Sequence, residues 1–568
     1  MRLMYTTFKL DRLKKARLQS RLQQSRSRFP QSGLGLPLTL GVVMWIASLL
    51  LLYITVDSPH VASIDVLEER WMDEAVQVDG EGSGLFSVLG LPEQALAGRV
   101  ASHARWIGRS LLLLLALVIC GGLLHIVRPD IVRSPRHLSL LVLLSLISLL
   151  VATGARLWLG GADWVQPGLI EFVLPLSFAP ILATILIGPA TAVVVGAWTA
   201  FSAAVMFENS FSIFALGLLV TIIVAHMARG VRTRSRMLRL GLIVGFAQIL
   251  YGFSLSLLGQ LPANQMLAQA GVGLANGIIS ALLALIFLPM FEGLFKITTD
   301  ITLLELSDMS HPLLQRLALE APGTYHHSLM VAHLAQSAAS EIGANALLVR
   351  VSAYFHDIGK LTKPDFFVEN TQFRENPHDD LTPSMSTLVI ISHVKEGVGM
   401  ARRAKLPAPI IEVIEQHHGT GLVAYFYHRA KTQKEENGSK DREVSESDFR
   451  YPGPKPQSVE MGILLLADSV EAASRSMEKP TPSRIEHLVN EIIDSRLQDE
   501  QLSECDLTFA QLKQIKRSFI FTLTNMLHGR VPYPKDENRN QQSTEKTKDQ
   551  DARPEGVLPV GHGSSAKA

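Results

Sequence analysis

Apolar positions are unevenly spread along this chain. Before residue 300 they form eight runs of membrane-spanning length, at 37–56, 110–127, 138–158, 168–187, 189–207, 211–228, 238–258 and 270–291. Only Gly188 and Pro189 separate the fourth run from the fifth, which fits a tight turn between two helices. After residue 300 the pattern becomes amphipathic. Val331, Leu334, Ala335, Ala338 and Ala339 recur at helical spacing, and Ala346–Phe355 is the next apolar helix. Segments 382–402, 407–418, 457–478, 482–498 and 508–528 read as further helices, with Thr382-Pro383 and Pro409 at starts and Gly419 at an end. No alternating strand pattern competes. The predicted fold is all-α: a polytopic helical membrane domain of one plus seven spans, then a soluble helical bundle.

Charge orients this plan. The 568 residues carry a net charge of +1, which by itself implies no acidic partner and no nucleic acid polymer. That average hides an asymmetry, because charged residues crowd after 300 while apolar ones crowd before 295. Residues 1–36 hold nine Lys or Arg and one acid, Asp11, as expected of a basic cytoplasmic N-terminus beside a first transmembrane helix at 37–56. Arg128, Arg133 and Arg136 fall in one inside loop, and Arg229, Arg232, Arg234, Arg236 and Arg239 in the next, whereas the outside loop 259–269 has no charge. Eight spans with an inside N-terminus return the chain to the cytoplasm before residue 300. The expected divisions are then a short extracytoplasmic segment at 57–109, a seven-helix transmembrane domain at 110–295 and a cytoplasmic domain at 296–532, with 296–312 as connector. A polar, disordered tail is expected at 533–568. Cys120 and Cys505 lie in different halves, so no disulfide framework is expected.

Other features qualify the plan. The acids Asp65, Glu68, Glu69, Asp73 and Glu74 read as a solvated helix face. Glu171, near Pro175 and Pro180, is an ionisable group within a span, placed near its outer end. Residues 431–449 read as an exposed insertion closed by the rigid turn Tyr451-Pro452-Gly453-Pro454-Lys455-Pro456.

The candidate chemistry centres on Ala353-Tyr354-Phe355-His356-Asp357-Ile358-Gly359-Lys360. An imidazole and a carboxylate can bind one metal, the carboxylate's second oxygen can reach another, and a nearby lysine suits a phosphate. A lone pair of this kind is weak evidence. Further histidines and acids on buried helices strengthen it: His326-His327, His393, His417-His418 and Asp468 within the run Ile463–Ser469. A buried, unpaired Asp468 would be costly, so it calls for a cation. Each residue alone has a bland reading, as a hydrogen-bonded core histidine or an acid paired with arginine. Together they suit a dinuclear site in a helical bundle, with imidazole and carboxylate favouring transition metals over magnesium or calcium.

The chain resembles the bacterial seven-transmembrane HD-domain (HDIG) phosphodiesterases that degrade cyclic di-AMP. The resemblance rests on Ala321-Pro-Gly-Thr-Tyr-His-His-Ser328, Tyr354-Phe-His-Asp-Ile-Gly-Lys360, Phe366-Phe367…Glu369-Asn370, Asn376-Pro377-His378-Asp379, Ser392-His393-Val394-Lys395, Gln416-His-His-Gly-Thr420, Tyr451–Pro456 and Ala467-Asp-Ser-Val-Glu-Ala-Ala473. It implies that the bundle is a cytoplasmic HD domain of the bacterial inner membrane. It implies that His327, His356, Asp357 and Asp468 hold one metal and that His393, His417 and His418 hold a second, with Asp357 bridging. The cofactors are then two divalent transition metal ions, manganese or iron. Lys360 would contact a substrate phosphate and His326 would orient its neighbour. The interval 57–109 is much shorter than the family's outside domain.

The expected reaction is hydrolysis of cyclic di-AMP to linear pApA by a metal-activated hydroxide attacking phosphorus in line. Cyclic di-GMP is the competing substrate. Its HD-type hydrolases resemble one another in a Gly-Tyr-Pro motif, from which Gly419-Thr-Gly-Leu-Val-Ala-Tyr425 departs. From another class come a membrane receptor that binds nucleotide without turnover and a transporter. The expected partners are the cyclic dinucleotide and the bilayer, with a homodimer left open.

Overall fold

The structure is a computed structural model, and it describes residues 35–56, 93–159, 167–371, 376–436, 444–477 and 480–527. Helices dominate it. Among the described residues there is no strand, only an isolated antiparallel bridge between Leu422 and Arg450. The expected basic N-terminus up to residue 34, the acidic cluster at 65–74 and the tail at 533–568 lie outside the described residues.

Each apolar run becomes helix. In order these are α1 (Gly35–Val56), α2 (Glu93–Val127), the short α3 (Pro129–Arg133), α4 (Pro135–Leu159), α5 (Ile170–Val173), α6 (Phe178–Leu186), α7 (Pro189–Met206), α8 (Phe211–Met227), α9 (Arg234–Leu258) and α10 (Ala263–Phe295). Six of them are long and apolar enough to cross a membrane, and α5–α6 and α8 are shorter apolar segments. Large apolar side chains such as Leu111, Ile126, Phe246 and Ile286 face outward, as a lipid-facing surface requires.

Three expectations change here. The helix of the second span starts at Glu93, so much of 93–109 is helical rather than a separate segment. The fourth run is not one helix, because Leu174–Ser177 breaks it. Pro175 has no N–H and drives Leu174 into extended backbone (φ −65°, ψ 124°). The break is met from α10: Asn276 donates to the Val173 carbonyl at 2.8 Å, and Gln269 to that of Gly168 at 3.4 Å. Glu171 accepts a hydrogen bond from Ser212 on α8, and Tyr251 on α9 joins the same cluster. Gly188, at φ +144°, makes the sharp turn into α7, with Pro189 opening the helix. The hairpin α9–α10 packs backbone against backbone: a Cβ on Gly277 would lie 2.4 Å from the Gly245 nitrogen.

The third change is the connector, which contains the helix α11 (Asp300–Leu306). Glu292, near the end of α10, accepts from the Thr299 backbone and the Thr302 hydroxyl, holding the start of α11. Arg232 and Arg234 pair with Asp300 and Glu305 at 2.8 and 3.0 Å.

Beyond it lie α12 (Pro312–Glu320), α13 (Pro322–Glu341), α14 (Ala346–Phe355), α15 (Pro383–Arg403), α16 (Ala408–Gln416), α17 (Ala424–Glu436), α18 (Val459–Ser474), α19 (Pro482–Gln498) and α20 (Phe509–Leu527). One core joins the Ala-rich face of α13 to α18, α19 and α20. A second joins α11, α12, α14, α15 and α16 through Leu303, Leu314, Phe355, Ala401 and Ile410. The expected insertion at 431–449 is only partly that. Its first residues continue α17, and Phe449 is buried with Phe426 and Tyr427.

Candidate metal centre

Five helices deliver their polar residues to the seam between these two cores. His327 sits early in α13, on the face shared with Thr324, Ser328 and Val331, all buried. His356 and Asp357 end α14, just before a 3-10 helix at Ile358–Thr362. His393 is inside α15, His417 and His418 follow the last turn of α16, and Asp468 is mid-α18. Their donor atoms fall into two groups, each lying within 4.8 Å: His327, His356 and Asp468, and Asp357, His393, His417 and His418.

Asp357 stands between the groups. Its Oδ2 is 3.2 Å from His356 Nε2 and 3.6 Å from His327 Nε2. Its Oδ1 is 3.4 Å from His393 Nε2 and 3.6 Å from His417 Nε2. Asp468 approaches His327 at 2.9 Å through Oδ1 and His418 at 3.7 Å through Oδ2.

The histidines are aimed from behind. His356, His393 and His417 donate Nδ1–H to the carbonyls of Ala353, Ile390 and Ile414 at 2.7, 2.6 and 2.8 Å, so each turns Nε2 inward. His327 is aimed instead by a buried carboxylate, Glu471, one turn beyond Asp468 on α18. Arg475 holds the other oxygen of Glu471 at 2.8 Å.

Electrostatics suit a cation. Burial pushes His393 down to about 3 and His418 well below the usual imidazole value, so both stay neutral with a lone pair to give. Burial also opposes charge on His356, but Asp357 and Asp468 outweigh it and push it up to about 10. Despite their own burial, Asp357 is held ionised by His356 and Lys360, and Asp468 by His327 and His356. The carboxylates thus draw positive charge from whatever is near. His356 Nε2 and Asp357 Oδ1 are buried without a hydrogen-bond partner. Orphaned atoms of this kind, converging from imidazoles and carboxylates, fit divalent metal ions.

The other predicted residues divide. Lys360 reaches Asp357 Oδ2 at 2.7 Å and Glu369 at 2.8 Å, at the edge of the cluster. His326 is a correction. It is exposed, because adjacent positions on a helix point about 100° apart, and it does not orient His327. Glu471 has that position, and only its spacing of three from Asp468 hinted at it. Tyr451, read only as part of a turn, lies over His418 with ring centroids 4.3 Å apart.

Residues 103–299 match the profile of a family described as 7TM receptor with intracellular HD hydrolase, and residues 324–473 match the HD domain. The cyclic-di-AMP phosphodiesterase PgpH of Bacillus subtilis (strain 168) is 46% identical over 303 residues, 53% of this chain and 42% of that protein. Its namesake in Listeria monocytogenes serotype 1/2a (strain 10403S) is 39% identical over 375 residues, 65% and 51% of the respective chains. A crystal structure of the L. monocytogenes phosphodiesterase PgpH HD domain in complex with cyclic-di-AMP is 48% identical, covers 39% of this chain and all (100%) of that one, and has a TM-score of 0.36. The chain spans about half the length of the curated relatives it matches, 42% and 51%. One profile thus covers most of the apolar helices, and the other covers the histidine–aspartate cluster.

Proposed function

We propose that the protein is a membrane-bound, metal-dependent phosphodiesterase that hydrolyses cyclic di-AMP to linear pApA. The observation carrying the reading is the placement of Asp357, with one oxygen toward each histidine group. The substrate follows the names of the Bacillus and Listeria relatives. His327, His356, Asp357 and Asp468 would hold one divalent cation, and His393, His417 and His418, with Asp357 shared, the second. Manganese and iron suit this donor set. Such a pair supplies Lewis acidity toward a phosphoryl oxygen and lowers the pKa of water. The chain's own residues do the positioning. Lys360, anchored by Asp357 and Glu369, offers its ammonium to a non-bridging phosphate oxygen. The carbonyls of Ala353, Ile390 and Ile414 and the carboxylate of Glu471 keep the imidazoles aimed without reorganisation. The arginine-bearing loops support a cytoplasmic-membrane protein with its N-terminus and HD domain inside.

The test uses the full chain in lipid nanodiscs, loaded with manganese or iron and given cyclic di-AMP and cyclic di-GMP in parallel. Conversion of cyclic di-AMP to pApA, abolished by His356→Ala with Asp357→Ala, is expected. Turnover that survives the double substitution would refute the site, and preferential cleavage of cyclic di-GMP would refute the substrate.

A further inference from the structure

Between α1, α2, α4 and α7 lies a cavity of about 390 Å³. At one end it is bounded by Pro37, Leu38, His125, Val132 and Leu138, and at the other by Trp45, Leu114 and Trp198. From Pro37 to Trp45 the helix rises about 12 Å. That is close to half of the roughly 30 Å hydrocarbon thickness of a bilayer, the depth of one leaflet. The lining is apolar apart from a few groups, and the Ser145 hydroxyl is already spent on the Leu141 carbonyl. Two lining glycines, Gly41 on α1 and Gly121 on α2, face open space, since a Cβ built on either would meet no heavy atom within 4 Å.

Two arginines lie next to the shallow end in sequence. Val132 at that end lies beside Arg133, and Leu138 two residues after Arg136. Both arginines are exposed and make no ion pair among the described residues. Arg128 differs, being held by Asp130 at 2.7 Å. An apolar slot one leaflet deep, with two exposed arginines within two residues of its lining, suits an amphiphile with a hydrocarbon chain below an anionic phosphate.

We propose that this cavity is a binding site for an anionic phospholipid of the bilayer, with one acyl chain between α1, α2, α4 and α7 and its phosphate at Arg133 and Arg136. The arginines give the site its preference for anionic headgroups, and the glycines give it room for the chain.

Trp45 and Trp198 line the cavity and report on it directly. The full chain, with its other tryptophans replaced by Phe, is reconstituted in phosphatidylcholine vesicles. A small fraction of either brominated phosphatidylglycerol or brominated phosphatidylcholine is then added, since bromine quenches indole only at close range. Stronger quenching by the brominated phosphatidylglycerol is expected. Arg133→Gln with Arg136→Gln, a surface change that leaves the packing alone, should remove the preference while leaving the weaker quenching common to both lipids. Gly121→Leu and, from the opposite wall, Gly41→Leu should fill the slot and reduce quenching by both. Equal quenching by the two lipids in the unsubstituted chain would overturn the proposal, as would a preference that survives the arginine substitutions.

Discussion

Glu471 shows what a single buried carboxylate does at this site. It touches His327 from behind while Asp468, three residues earlier, touches it from the front. Glu471→Gln keeps the shape and removes the charge that polarises the imidazole. We expect divalent-metal affinity to fall about 10–100-fold, read by manganese titration, with little change in melting temperature of the metal-free protein. A merely structural Glu471 would lower both together. Metal removal belongs to the same scale. Chelation should lower the melting temperature, and metal at about 100 times its Kd should restore about 2.7 kcal/mol. Residue pattern alone left His326 and His327 as a pair, and only the resemblance singled out His327, because which one turns inward depends on the rotation of α13 against α18. The same pattern could put Asp357 forward only in company with the other histidines and Asp468, since a lone histidine–aspartate pair is weak evidence.

At the scale of elements, glycine decides how closely the pieces meet. A Cβ on Gly359 would lie 1.8 Å from the His393 carbonyl oxygen, and one on Gly323 would lie 1.9 Å from that of Glu369. Both neighbours are backbone and cannot swing away. Gly359→Ala should therefore destabilise the protein by about 1–3 kcal/mol or more in chemical denaturation, and move His393 away from Asp357. Arg450 is the corresponding polar device. It donates to Asp499, to Glu446 and to the Thr420 carbonyl, joining the loop after His418 to the end of α19. Burial pushes the Asp499 carboxyl up, but the hydrogen bonds from Arg450 and Gln501 outweigh this and hold it below its usual value. A depressed carboxyl stabilises the fold above its unfolded pKa of about 3.9 and loses that contribution as the pH falls through the lower folded value. Arg450→Met should then flatten the stability curve below about pH 4 relative to the unsubstituted protein, as measured by melting across pH. Periodicity located α15, α19 and α20 to within a residue or two. It did not place the break at Leu174–Ser177 although Pro175 stood within the run, since prolines are tolerated in spans and the amide that supports this break lies on the distant α10.

For the molecule as a whole, the arginine-rich loops and α11 lie at the junction of the two halves. The pairs Arg232–Asp300 and Arg234–Glu305 are half-exposed or more on at least one side, and each is worth about 0–1 kcal/mol. The burial of Leu303 in the core that includes Phe355 is the stronger tie, and Leu303→Ala should cost about 2–5 kcal/mol in denaturant unfolding. Orientation is tested by labelling. With Cys120 and Cys505 replaced by Ser, a cysteine at Gln260 should react with an impermeant maleimide in intact cells, and one at Lys405 only after permeabilisation. The reverse pattern would invert the topology.

Local pattern alone settled the helical class and the order of the apolar runs, and it put forward the candidate cation-binding side chains. These follow from local composition, helical periodicity and the cost of burying a lone carboxylate. Tertiary structure decided which side of each helix faced the site, and so exchanged His326 for Glu471 behind His327. It also decided the break before Phe178 and the opening between α1 and α2. Each depends on a neighbour distant in sequence: α18 for the histidine, α10 for the broken helix, and the close approach of four helices for the cavity.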